Sequence, residues 1–156
     1  MIAKEFEEFL LAHMETYLTP EEELALFIDT HNVGHVLLLL SNNGFSRVPV
    51  MTKDKIYVGT ISMSDIIHYQ KEHELSEIEM ADLNIGLMVN KELPTVALNA
   101  NLTEVMHKLV DASFLPVLQD HILVGIITRK SILKALNSLL HDFKHYYDIS
   151  PKSSQE

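Results

Sequence analysis

The chain has 156 residues, of which 47% are hydrophobic and 22% charged, a balance typical of a globular protein rather than a disordered one. Its formal net charge of -10 disfavours binding to the phosphate backbone of nucleic acids. The absence of cysteine excludes disulfides, thiolate metal sites and cysteine nucleophiles.

The first residues, MIAKEFEEFLLAHM, predict neither a signal peptide nor a membrane anchor. Glutamates interrupt the apolar residues, and the apolar run Val36 to Leu40 is too short to span a bilayer. We therefore expect a soluble cytoplasmic protein that does not bind membranes. Residues 1–17 instead predict an amphipathic helix that packs on one of the later segments, since its apolar residues recur at helical spacing. They are Phe6, Phe9, Leu10, Met14 and Tyr17.

Three blocks of sequence then occur twice, in the same order, with a separation that shrinks slightly along the chain. The pairs are ELALFIDTHNV with ELPTVALNANL, SRVPV with SFLPV, and VGTISMSDI with VGIITRKSI. They begin at Glu23 and Glu92, at Ser46 and Ser113, and at Val58 and Val124. This duplication predicts one unit over residues 18–75, a second over 76–147 and a disordered polar tail over 148–156.

The first unit is predicted to run strand, helix, strand, strand, helix. A short strand covers LALFI, and a helix capped by Thr30 or Asn32 ends at Asn43-Gly44. The strand RVPVM contains a proline, which favours a sheet edge. Asp54-Lys55 turns the chain into the strand IYVGTI, and Ser62 or Ser64 caps the next helix. A charged linker is expected from about residue 70 to 80.

The second unit repeats this order. Asn101, with Glu104 three residues on, predicts the start of a helix with an apolar face. FLPVL and ILVGII predict a pair of strands, and Thr128 opens a long final helix. The predicted class is therefore α/β.

The duplicated motifs Gly59…Ser62…Asp65 and Gly125…Thr128…Ser131, each preceded by a proline-containing strand, resemble the CBS domain. The resemblance covers roughly residues 15 to 140. It implies two units packed with pseudo-twofold symmetry around two nucleotide-binding clefts, each of which combines the leading segment and proline strand of one unit with the second-helix start of the other.

Carried over by position, the resemblance assigns residues to both clefts. The first cleft combines Glu23, Leu24, Ala25, Ser46, Arg47 and Val48 with Thr128, Arg129, Lys130 and Ser131. The second combines Leu93, Pro94, Phe114 and Leu115 with Ser62, Met63, Ser64 and Asp65. The second cleft is a possible site for an AMP-type ligand, although Phe114 could instead fill it by packing.

The residues of the first cleft suit phosphate binding. Thr128 marks a helix start, where free N–H groups favour anions, and Arg129 and Lys130 add two cations. The alternative is that both cations are solvated residues of the first helical turn. Leu24, Ala25 and Val48 could line an adenine slot. Ser131 replaces the aspartate that binds the ribose diol in the family motif, and cyclic di-AMP has no free vicinal diol, so the pattern favours cyclic di-AMP over AMP or ATP.

The whole chain is also similar to the stand-alone cyclic-di-AMP-binding CBS proteins of Gram-positive bacteria. The shared features are the runs YLTPEEELA, GHVLLLLSNNGFSRVPV and GIITRKSILKALN. The resemblance implies a homodimer without catalytic activity that controls a partner such as a Rel-type (p)ppGpp synthetase/hydrolase. Glu23 departs from the pattern, which has a basic residue there. The alternatives are an AMP- or ATP-binding energy sensor and a ligand-independent interaction scaffold.

Other chemistry has little support in the sequence. His31 with His35, and His141 with His145, are spaced to share a helix face, but a metal site needs a third ligand. The chain has no phosphate-binding glycine loop and no nucleophile elbow. We therefore predict neither a metal site nor an enzyme.

Overall fold

The computed structural model describes residues 2–11 and 17–152. The helices are α1 (Lys4–Leu11), α2 (Val33–Asn43), α3 (Met63–Glu72), α4 (Glu77–Ala81), α5 (Leu102–Leu109) and α6 (Arg129–Tyr146). The strands are β1 (Leu18–Pro20), β2 (Phe27–Ile28), β3 (Val48–Met51), β4 (Tyr57–Ile61), β5 (Val96–Ala97), β6 (Phe114–Gln119) and β7 (Ile122–Thr128). Short 3₁₀ turns cover Glu21–Glu23 and Ile85–Met88. The predicted α/β class is confirmed.

The helix boundaries follow from local sequence. Asn32 caps α2 by accepting a hydrogen bond from the His35 N–H, and Gly44 ends it at a φ of 65°. That left-handed conformation is open to glycine because it has no Cβ. Of the two serines proposed to cap α3, it is Ser62 that does so, with Asp65 completing a capping box. Within the described ranges, no helix is long and apolar enough to cross a membrane.

The strands form two sheets, with the orders β2-β3-β4 and β1-β7-β6-β5. The predicted edge position of the proline strand is wrong, because β3 is the central strand of its sheet. β2 has only two residues, which pair with Val50 and Met51. No residue of β2 pairs with Pro49, so the N–H that proline lacks is not needed there. β3 and β6 thus keep a proline inside the sheet because their parallel neighbours are short.

The two units exchange their leading segments. β1, at the start of the first unit, pairs antiparallel with β7 of the second unit and sets Thr19 opposite Ile126. Asn90, in the leading segment of the second unit, bridges to Thr60 of β4, with N to O distances of 2.8 and 2.9 Å. Thr60 and Ile126 occupy the same position in the repeat. This reciprocal pairing gives the predicted pseudo-twofold arrangement.

The glycine of each duplicated motif permits this exchange. A Cβ on Gly59 would collide with Val89 and the carbonyl of Asn90, and one on Gly125 would collide with the carbonyl of Thr19. The sequence did not indicate this pairing. It predicted a strand over LALFI, whereas only Phe27–Ile28 is a strand and β1 lies farther upstream. A three-residue strand carries too little periodicity to be seen without its partner.

Each unit has its own core. Val33, Val36 and Leu40 of α2 pack with β3 and β4 in the first, while Leu115 and Val117 of β6 lie in the second. The segment expected to be a charged linker contains α4, whose first turn is capped by Ser76. This helix is stabilised because its apolar residue Met80 packs against the core of the first unit. Met80, Ile85 and Met88 are buried in the first core, although the sequence grouped them with the second unit.

The N-terminal helix α1 packs against α6, as its apolar face predicts. Leu10 is buried in a cluster with Leu102, Leu139 and Phe143, and the rings of Phe6 and Phe143 lie 4.8 Å apart. Met14 lies outside the described residues, as do residues 153–156. The disorder expected for the tail stays a prediction.

Candidate functional site

The start of α6 is joined to the chain that leads into β1 of the first unit. The Ser131 N–H donates to Thr128 Oγ1 at 3.0 Å, and the Thr128 N–H donates to Ser131 Oγ at 3.3 Å. The Ser131 hydroxyl lies 3.0 Å from the carbonyl oxygen of Tyr17, directly before β1. Glu23 and Ala25, which follow β1, are exposed, and Leu24 is half-buried.

The two cations of α6 have different surroundings. The Arg129 guanidinium donates to the carbonyls of Leu109, Val110 and Ala112 at 3.0 to 3.1 Å, and so caps the C-terminal end of α5. A cation is stabilised at that end of a helix. Lys130 is exposed and makes no ion pair with the described residues. Backbone carbonyls leave no signature in sequence, so this role of Arg129 was not predictable.

Arg47 lies with residues that the sequence assigned to the other cleft. Its Nη1 atom donates to Asp65 Oδ2 at 2.8 Å and to Thr60 Oγ1 at 3.0 Å, and Nη2 lies 3.3 Å from Ser62 Oγ. The structure therefore joins Arg47 to the start of α3 in its own unit rather than to Thr128. The residues on either side of it have other surroundings: Ser46 is exposed, and Val48, the first residue of β3, is buried in the first core.

Asp65 is the most heavily bonded carboxylate of the described chain. Its Oδ2 accepts the Ser62 N–H and hydroxyl, each at 2.8 Å, besides the Arg47 guanidinium. Burial alone would raise the pKa of this carboxyl, but the hydrogen bonds from Ser62 and the charge of Arg47 outweigh it, and the pKa lies below its usual range. Asp65 therefore stays ionised at neutral pH.

The second cleft opens beside this group, as a cavity of about 260 Å³. Its lining residues are Arg47, Asn90, Glu92, Leu93, Pro94, Asp111 and Ala112. Of the residues that the sequence assigned to this cleft, Leu93 and Pro94 line the cavity. The others assigned to this cleft differ in accessibility: Met63 and Ser64 are exposed, while Phe114 and Leu115 are buried. Phe114 lies across the strand pair from Thr128, at the repeat position of Arg47.

The histidine pairs do not assemble a metal site in the described residues. The rings of His31 and His35 lie 5.5 Å apart at a steep angle, and His31 Nδ1 accepts the Ile28 N–H. Burial and the neighbouring His35 lower the pKa of His31. In the ranges 2–11 and 17–152, no three side chains of the types that ligate metals come together.

Comparison with known proteins places the chain among CBS-domain proteins. The family model for the CBS domain matches residues 22–72 and 82–138. The chain is 24% identical over 139 residues to cyclic di-AMP receptor B of Bacillus subtilis, covering 88% of this chain and 95% of that protein.

Two solved structures are more similar still. The crystal structure of CbpB from Streptococcus agalactiae is 59% identical, with a TM-score of 0.94 over 97% of this chain and 96% of that one. A crystal structure of CbpB in complex with c-di-AMP is also 59% identical, with a TM-score of 0.86 over 93% of this chain and 97% of that one.

Proposed function

This chain belongs to the family of CBS-domain proteins, and from that premise we propose that it is a receptor that binds cyclic di-AMP in its first cleft and catalyses no reaction. Two relatives support the ligand: cyclic di-AMP receptor B, and the CbpB that was crystallised with c-di-AMP.

The observation that carries the proposal is the chemistry at the start of α6. Ser131 stands at the repeat position of Asp65, so the anion-binding end of α6 has no carboxylate where the start of α3 has one. Lys130 is exposed on the first turn of α6, where its ammonium group supplies a positive charge. A cyclic dinucleotide presents two phosphodiesters and no free vicinal diol. The site therefore offers charge to the phosphates and omits the acceptor pair that a diol would need.

The resemblance to cyclic-di-AMP-binding CBS proteins implies three further properties. We propose that the receptor forms a homodimer, that it acts in the cytoplasm, and that its ligand state controls a partner protein such as a Rel-type (p)ppGpp synthetase/hydrolase. The surface of α6 offers apolar side chains for such contacts, since Leu133 and Leu140 are exposed on it. A partner would recognise the surface that the ligand changes.

Calorimetric titration with cyclic di-AMP tests the proposal, with AMP and ATP as parallel titrants. Lys130→Ala removes a cation that makes no ion pair with the described residues. The affinity for cyclic di-AMP should therefore fall about tenfold while the unfolding temperature stays the same. Lys134→Ala is the matched control, because Lys134 lies one turn farther along the same helix and is exposed.

Each other outcome contradicts the proposal in a specific way. Preferential binding of AMP or ATP would make the protein an energy sensor. Failure to bind any of the three nucleotides would leave the interaction scaffold. An equal loss of affinity in Lys130→Ala and Lys134→Ala would place the ligand elsewhere or make the charge effect nonspecific.

A further inference from the structure

We propose that Arg47 closes the second cleft to nucleotides with a free ribose diol, so that each chain takes an adenine nucleotide in the first cleft only. The inference rests on the proposed function and deepens it, because it names what makes the receptor selective. It follows from the contacts of Asp65, the one carboxylate at a duplicated helix start.

The hydrogen-bonding capacity of Asp65 is already in use. A carboxylate has about four lone-pair positions on its two oxygens together. Oδ2 accepts three donors, from the Arg47 guanidinium and from the N–H and hydroxyl of Ser62, all at 2.8 Å. Oδ1 accepts the Asn90 amide at 3.3 Å. A vicinal diol would need two acceptor positions. It would have to displace Asn90 from Oδ1 and Arg47 from Oδ2, because the Ser62 donors are held in the helix cap.

The same side chains separate Asp65 from the cleft. Arg47 and Asn90 line the cavity, whereas Asp65 and Ser62 do not. Because Arg47 and not Asp65 lines the cavity, the guanidinium lies on the cleft side of the ion pair.

The charges at the mouth of the cleft oppose a phosphate as well. Glu92 and Asp111 both line it, and Arg47, the lining cation, is neutralised by Asp65. A nucleotide that entered would therefore meet two carboxylates and one paired guanidinium. Like charges brought together in a partly desolvated cleft repel more strongly than in water.

The second unit lacks this cluster of polar side chains at its corresponding positions. Phe114 stands for Arg47, Ile126 for Thr60 and Ser131 for Asp65. An aromatic ring, an aliphatic chain and a hydroxyl cannot form an ion pair. The two clefts thus differ by one polar cluster, which is present in the second and absent from the first.

Titration of AMP into protein saturated with cyclic di-AMP tests the inference, because the first cleft is then filled. The wild type should not bind AMP in this state. Arg47→Ala frees Asp65 and should bind AMP at least about tenfold more tightly than the wild type. Arg47→Ala/Asp65→Ala should lose that gain, and Arg47→Lys, which keeps a cation on Asp65, should remain closed.

Two results would overturn it. One is that folded Arg47→Ala, checked by its thermal unfolding, gains no AMP affinity. The other is that the saturated wild type binds AMP and loses this binding in Asp65→Asn, a measurement that needs no Arg47 variant. If cyclic di-AMP itself fails to bind, the proposed function fails. The AMP titrations of the unloaded proteins, read through their dependence on Asp65, then still decide whether Arg47 closes the second cleft.

Discussion

The starts of α3 and α6 share a backbone design and differ in chemistry. In both, a hydroxyl caps the helix and the third helical residue completes a capping box. At α3 that residue is Asp65, held by Arg47, whereas at α6 it is Ser131, which bonds to the chain before β1. A duplicated fold can therefore keep its architecture in both copies while one copy loses its charge and becomes a different kind of site.

What the two units do share is the requirement for close backbone approach. Gly59 and Gly125 each lie where the leading segment of the other unit crosses. These positions define how the two units pack, and the residues around them define the chemistry of each helix start. Four experiments separate these two levels.

The largest effect is expected from the motif glycines. Gly59→Ala adds a Cβ against Val89 and Asn90 at a φ of 154°, so both overlap and backbone strain oppose folding. We expect it to lower the free energy of unfolding by roughly 3 kcal/mol, measured by urea denaturation. Gly125→Ala should act similarly by displacing β1. Gly44→Ala is the control: nothing surrounds its Cβ, so it should cost only about 1 kcal/mol.

Next comes the ion pair. Asp65→Ala leaves the Arg47 guanidinium, whose side chain is 27% exposed, without its carboxylate, and should destabilise the protein by about 2 kcal/mol. Ser131→Ala removes only neutral hydrogen bonds at the equivalent position and should cost about 1 kcal/mol. Equal costs in the two variants would mean that the charge pair adds nothing to the capping box.

The same contrast should appear in the acid limb of stability. Because the folded-state pKa of Asp65 is depressed, its contribution is complete above the unfolded pKa of about 3.9 and is lost as pH falls through the folded value. The free energy of unfolding, measured by denaturation across this acidic range, should fall less steeply with decreasing pH in Asp65→Asn than in the wild type. Ser131→Ala should keep the wild-type slope. A wild-type slope in Asp65→Asn would contradict the depressed pKa.

The smallest effect separates the neighbouring cations of α6. Arg129→Ala removes three hydrogen bonds from the C-terminal end of α5 and should lower the free energy of unfolding by about 1 kcal/mol. Lys130→Ala should leave stability unchanged within about 0.5 kcal/mol, because exposed substitutions rarely matter. Hydrogen exchange of the amides near Val110 should report the difference, since the released end of α5 would exchange faster.

Much of the fold could be predicted because repetition makes weak signals additive. The caps at Asn32, Ser62 and Thr128, the strand pairs and the order of elements all follow from short local patterns. The predicted edge position of the Pro49 strand failed for a nonlocal reason, because it depended on the length of a neighbouring strand. The residues of the candidate site likewise divide into those with a local sequence signal and those whose partners depend on tertiary packing. Thr128 and Ser131 were placed correctly at a helix start, whereas the partners of Arg47 and Arg129 were not foreseen.

The sequence by itself determined the duplication, the α/β class, the helix starts and the loss of a carboxylate at Ser131, because each of these is a property of residue type and spacing. Only the tertiary structure decided that the leading segments cross between units, that Arg47 turns to Asp65 and that Arg129 caps α5. Long cationic side chains reach several acceptors with little difference in local energy. Which acceptor they bind is therefore fixed by tertiary packing, which brings Asp65 beside Arg47 and the end of α5 beside Arg129.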